Sequence, residues 1–188
     1  MSEPLGGPTA NAASIKRLIR TVPDFPRPGI QFRDITPLLS DAGGLRAVID
    51  ALAERYRGKV DKVAAIEARG FIFGAALAHA IGAGFVPFRK PGRLPHTLIG
   101  HDYELEYGTN RVEVHVDGVA AGERVVVVDD LIATGGTAAA TVALLERIGA
   151  NIVECAFVID LVDVGGRARL EERRYQVHAL CEFTEDEG

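Results

Sequence analysis

Hydrophobic positions along this chain fall into two kinds of short block that alternate from about residue 45 onward. One kind runs unbroken or in strict alternation over four to six residues. The other is spaced by three and four. The first is the signature of strands and the second of amphipathic helices. Read in order, the pattern predicts helices over Leu45–Arg57 and Phe71–Ile81, a helix from Ala138 to Arg147 that ends at Gly149, and a short one near Arg167–Glu172. It predicts strands over Lys62–Ile66, Gly84–Phe88, Arg111–Val116, Val125–Val128, Ile152–Leu161 and Val177–Phe183. Before this rhythm begins come a short amphipathic helix near Ile15–Arg20 and a segment from Pro23 to Pro37, too punctuated by proline for one regular element. A polar stretch from Pro91 to Gly108 interrupts the alternation. Strands alternating with helices predict an α/β fold whose mainly parallel central sheet is flanked by helices, with ligands at the carboxyl ends of the strands.

Composition narrows the picture. A chain of 188 residues with 47% hydrophobic content suffices for one well-buried domain, expected over 14–188, with 1–13 as a disordered tail. The tail has neither a basic start nor a continuous apolar stretch, so it does not read as a signal peptide. A net charge of −5 argues against nucleic acid or an anionic membrane surface as partner, and no run reaches the ~18 apolar residues of a membrane helix. With two cysteines, Cys155 inside an apolar run and Cys181, the reading is a cytoplasmic protein with reduced thiols that take no part in catalysis.

The chemistry is concentrated in Val125–Thr137. Four consecutive valines suit a central strand covered on both faces, and the strand is expected to stop at Asp129 and Asp130. Ala133-Thr134-Gly135-Gly136-Thr137 then forms a turn at the start of a helix. Unpaired N–H groups and the positive end of the helix dipole favour an anion there, and glycines admit a phosphate close to the main chain. No lysine follows the glycines and the spacing is not GxGxxG, which disfavours nucleoside triphosphates and dinucleotides. The two carboxylates can accept hydrogen bonds from vicinal hydroxyls, so a ribose 5-phosphate satisfies both halves of the motif.

This segment resembles the phosphoribosyl-pyrophosphate (PRPP) motif of type I phosphoribosyltransferases. Asp24–Ile30 with Phe32–Thr36, Ile66–Gly74, Arg89–Arg93 and Leu105–Gly108 narrow the resemblance to the adenine phosphoribosyltransferase family, over about residues 15 to 183. The resemblance implies the type I phosphoribosyltransferase fold, with a small N-terminal hood at about 14–40 and a flexible lid at about 92–109. It implies adenine and PRPP as substrates, AMP and pyrophosphate as products, and a homodimer. Two other readings stay open: a phosphoribosyltransferase for hypoxanthine, xanthine or orotate, and an inactive PRPP-sensing regulator.

By the same resemblance, Glu67-Ala68-Arg69-Gly70 contacts pyrophosphate, with Arg69 also near the purine, and Phe25 belongs to the adenine-recognition segment. Locally, the former also reads as an ordinary turn and the latter as a core anchor. Arg89, Lys90 and Arg93 place three cations within five residues, a density suited to pyrophosphate or to a solvated basic loop. The family more often carries lysine where Arg93 stands. Loops longer than ~12–15 residues without structure are commonly functional, which suits a lid that excludes water. Glu106 is implied as the acid/base serving the adenine ring and Tyr107 as a lid residue, with Glu104 as the rival acid. His96 and His101 are poorly spaced for zinc. Magnesium is expected to arrive with PRPP, held more by ligand and water than by protein.

Overall fold

The computed structural model describes residues 12–105 and 108–187. The described residues begin with a one-turn helix α1 (Ala12–Lys16), then two short strands, β1 (Arg20–Val22) and β2 (Phe32–Asp34), which pair antiparallel. Helices α2 (Thr36–Ser40) and α3 (Ala42–Tyr56) follow, with Pro37 in the first turn of α2 where a missing N–H costs nothing. Asp41 caps α3 by accepting from the Gly44 N–H at 2.6 Å, which starts that helix three residues before its first apolar position. Then come β3 (Lys62–Ile66), α4 (Gly70–Ile81) and β4 (Gly84–Phe88), with Gly82 closing α4 in the left-handed region.

Next are β5 (Leu98–Leu105) and β6 (Gly108–His115), an antiparallel pair in register from Leu98↔His115 to Leu105↔Gly108. The expectation of an unstructured lid over 92–109 is therefore corrected. From Leu98 onward the segment is a strand, because Ile99 and Tyr103, four positions apart on one face, pack into the core beside the next helix. After β7 (Arg124–Ile132) come α5 (Gly136–Ile148), β8 (Asn151–Leu161), a 3₁₀ turn at Val162–Val164, α6 (Gly166–Glu171) and β9 (Val177–Phe183).

The central sheet has the order β4-β3-β7-β8-β9, and every pairing in it is parallel. Parallel strands need both faces covered. Val126 and Val128 of β7 join Val48, Leu52, Phe73 and Leu77 beneath α3 and α4, while Val125 and Val127 join Val142, Leu144 and Leu145 of α5 on the other side. That division explains the unbroken valine run. Because the strands are parallel, the segments that follow β3, β4, β7 and β8 all emerge along one edge.

The central strand does not stop at the acids, as its sequence suggested. Pairing with β8 continues through Leu131↔Ile159 and Ile132↔Asp160. Leu131 packs on the α3–α4 side and Ile132 on the α5 side, so the in-out alternation set by the valines slips by one position across Asp129-Asp130. The slip lets two adjacent carboxylates serve one edge of the sheet. Both cysteines are free, and burial pushes each thiol up to about 12. No helix among the described residues is long and apolar enough to cross a membrane.

Candidate active site

Two adjoining cavities open along the carboxyl edge, sharing Arg69, Asp129, Asp130 and Thr137. The smaller, about 180 Å³, is floored by the turn Ala133–Gly136 and the first turn of α5. The larger, about 370 Å³, is walled by Glu67, Ala68, Arg89 and Lys90 on one side and by Tyr103, Asn110 and Arg111 of the hairpin on the other.

The turn is shaped by close backbone packing. Gly135 has φ 71°, a conformation that disfavours side chains, and it is the residue before α5. A Cβ on it would lie 2.8 Å from the Gly166 carbonyl oxygen. Reciprocally, a Cβ on Gly166 would lie 2.2 Å from the Ala133 carbonyl oxygen and 2.7 Å from the Gly135 nitrogen. The start of α6 thus backs the turn directly. Gly166 carried no motif in the sequence; the only available signal was a Gly165-Gly166 pair just past a buried strand. Gly166→Ala is expected to shift the turn, lowering stability by about 1–3 kcal/mol through overpacking. It should also weaken binding of ribose 5-phosphate. Thermal unfolding and calorimetry check both, and an unchanged affinity would show that the turn tolerates the displacement.

Asp130 is buried, 3% exposed, and its Oδ2 accepts from Arg69 Nε at 2.5 Å. Asp129 is half-buried; its Oδ1 accepts the Asp130 N–H at 2.8 Å and lies 2.7 Å from where a Gly70 Cβ would stand. Gly70 therefore serves close packing at the start of α4. Burial, and then the neighbouring Asp130 charge, hold the Asp129 carboxyl well above its ordinary range.

A carboxyl whose folded pKa is raised binds its proton more tightly folded than unfolded, so this group makes stability fall as pH rises from the unfolded value, about 3.9, through the folded one. Asp129→Asn keeps the oxygen that accepts from Asp130 and removes the charge. The ligand-free variant is expected to show a higher Tm than wild type at pH 8, with the gain gone at or below pH 4. Equal Tm values at pH 8 would contradict that account.

Glu67 lies just past β3, joined to Ala68 by a cis peptide bond, and clamps the Arg89-Lys90 segment. Its Oε1 accepts from Arg89 Nη2 at 2.8 Å and its Oε2 from the Lys90 N–H at 2.9 Å, and the Arg89 guanidinium holds its carboxyl below the usual range. Arg89 Nη1 reaches the Arg93 carbonyl at 2.9 Å. The side chain of Arg93 is exposed and lines neither cavity.

Phe25 is 51% exposed, which excludes the core-anchor reading, and meets Phe32 edge to face at 5.1 Å. It also lines neither cavity. Glu106 and Tyr107 lie outside the described residues. Tyr103, Asn110 and Arg111 were missed because β5 was read as loop, so the strand expected over Arg111–Val116 had no partner to place it beside the cavity. Arg111 lies flat across Gly100, held by Glu113 at 3.0 Å and Asp102 at 3.1 Å. Among the described residues, no group of three or more His, Cys, Asp or Glu side chains could hold a metal ion.

A parallel α/β sheet with a glycine turn, paired carboxylates and a cationic rim on one edge defines a phosphoribosyltransferase domain, and the family profile described as "Phosphoribosyl transferase domain" matches residues 36–182. An adenine phosphoribosyltransferase of Methylobacillus flagellatus is 59% identical over 175 residues, 93% of this chain and 99% of that protein. The crystal structure of adenine phosphoribosyltransferase from Rhodothermus marinus superposes with a TM-score of 0.85 at 50% identity, covering 92% of this chain and 98% of that one. The Saccharomyces cerevisiae enzyme, solved with an imino-altritol bisphosphate and adenine, gives 0.84 at 40% identity over 90% and 97% of the two chains. The chain belongs to the adenine phosphoribosyltransferase family.

Proposed function

We propose that this protein transfers the 5-phosphoribosyl group from PRPP to N9 of adenine, giving AMP and pyrophosphate, as a purine-salvage enzyme of the cytoplasm. The observation that carries this reading is the junction of the two cavities. There the α5 turn, a site for a phosphate, adjoins two carboxylates that can hold vicinal hydroxyls, and these adjoin Arg69, Arg89 and Lys90 across two cavities that share Arg69, Asp129, Asp130 and Thr137. Identity to enzymes named for adenine selects the base.

In the reaction, the bond from C1′ to the pyrophosphate oxygen breaks, the N9–C1′ bond forms, and the N9 proton leaves adenine. The N–H groups of Thr134–Thr137 and the Thr137 hydroxyl hold the 5′-phosphate, while Asp129 and Asp130 hold the ribose hydroxyls. Arg69, Arg89, Lys90 and Arg93, with the backbone of Glu67–Gly70, stabilise charge as pyrophosphate departs. Developing positive charge at C1′ lies near the two carboxylates. Glu106 manages the proton on the base, Tyr107 closes the lid, and Phe25 stacks on adenine with Arg69 nearby. With no protein cluster among the described residues to hold it, Mg²⁺ bound to PRPP and water would add charge neutralisation at the pyrophosphate beside Arg69, Arg89 and Lys90. The protein works as a homodimer, a reading supported by Ile72 and Phe85, exposed at 41% and 37% on α4 and the edge strand β4.

Incubation with PRPP, Mg²⁺ and adenine is expected to yield AMP, with little product from hypoxanthine, xanthine or orotate. No AMP, where a control enzyme forms it under the same conditions, would remove the assignment. Product from another base alone would keep the phosphoribosyl site and change the acceptor.

A further inference from the structure

We infer that Tyr103 is a positioning residue for the 5′-phosphate, acting through Thr137 as the outer member of a two-hydroxyl relay; the inference rests on the phosphate placement proposed above. The Tyr103 hydroxyl lies 2.9 Å from Thr137 Oγ1, and either oxygen can be the donor. Each hydroxyl has one hydrogen and two acceptor lone pairs. With the site empty, the pair has two orientations of its hydrogens.

A phosphate dianion only accepts, so when the Thr137 hydroxyl donates its one hydrogen to it, the contact with Tyr103 persists only with the tyrosine donating to a Thr137 lone pair. Ligand binding selects the chain Tyr103 O–H to Thr137 O–H to phosphate. The phenol is the stronger acid of the two and polarises the threonine hydroxyl as it donates, so the second bond strengthens the first.

Packing holds the phenol in place for this task. Its ring carbon Cδ2 stands 3.5 Å from where a Gly136 Cβ would be, and the half-buried ring packs against the core cluster that includes α5. Tyr103 also sits on β5 two residues before Leu105, so the same contact ties the hairpin to the phosphate turn. No sequence spacing would pair these residues, which are 34 positions apart.

The test is a double-mutant cycle read by calorimetry with ribose 5-phosphate, which carries the 5′-phosphate and no pyrophosphate. Thr137→Ala is expected to raise Kd by roughly 10- to 100-fold, as loss of a hydrogen bond to a charged group, and Tyr103→Phe by roughly 3- to 10-fold. Tyr103→Phe in the Thr137→Ala background should add nothing, and Thr137→Ser should retain near-wild-type affinity. The KM for adenine should not move in Tyr103→Phe, which separates this role from general loosening of the site. If Thr137→Ala weakens binding while Tyr103→Phe leaves Kd unchanged, or if the two effects multiply in the double variant, the relay is wrong and the phosphate placement stands. If Thr137→Ala itself leaves Kd unchanged, the phosphate does not use that hydroxyl and both fall.

Discussion

Asp130→Ala is expected to lower kcat/KM for PRPP by roughly 10²–10³-fold, since one charge-assisted hydrogen bond to a ribose hydroxyl is worth about 1.5–3 kcal/mol and the change also releases Arg69. The carboxylate holds Arg69 at 2.5 Å from a position 3% exposed, so in the proposed ribose-binding role it would serve ligand and cation together. Without it, Arg69 keeps its charge and loses the partner that fixes its direction. Asp130→Asn separates the two roles, because the amide can still accept from Arg69 or a hydroxyl at the same place without the charge. Its loss should lie between those of wild type and alanine. Steady-state kinetics in PRPP at saturating adenine measures this. An alanine variant within threefold of wild type would mean that the ribose is held elsewhere.

Glu106→Gln is the second large effect, an expected fall in kcat of roughly 10²–10⁴-fold, the usual contribution of a positioned acid or base. Glutamine keeps the size and hydrogen-bonding reach of the side chain and cannot exchange the proton of adenine N9. KM for PRPP should therefore change little, because the turn and the two aspartates that bind it are untouched. Glu104→Gln is the necessary companion, being two residues away on the same segment. If Glu104→Gln abolishes turnover while Glu106→Gln leaves it intact, the acid has been placed two residues too far along.

Legibility in the sequence followed the range of the forces involved. β3 and β4 begin and end where the hydrophobic pattern put them, and α5 ends at Gly149, because burial and glycine capping act within a few residues. The glycine turn before α5 was equally local. Strand β5 was not, since only contact with α5 reveals that Ile99 and Tyr103 form a half-buried face amid polar neighbours. The end of β7 was misplaced for a related reason: two aspartates look like a strand terminus, yet pairing of Leu131 and Ile132 with Ile159 and Asp160 of β8 carries the strand past them.

The sequence by itself determined the α/β alternation, the family resemblance and the glycine turn that starts α5, because each is written in the nearest neighbours along the chain. Only the tertiary structure decided that Gly166 backs that turn, that Glu67 clamps Arg89 and the Lys90 amide, and that Tyr103 reaches Thr137. Those contacts join residues between 22 and 34 positions apart. The first two exist because a parallel sheet brings its strand ends to one edge, and the third because the separate β5–β6 hairpin packs on α5; no periodicity in the chain encodes which segments will meet there.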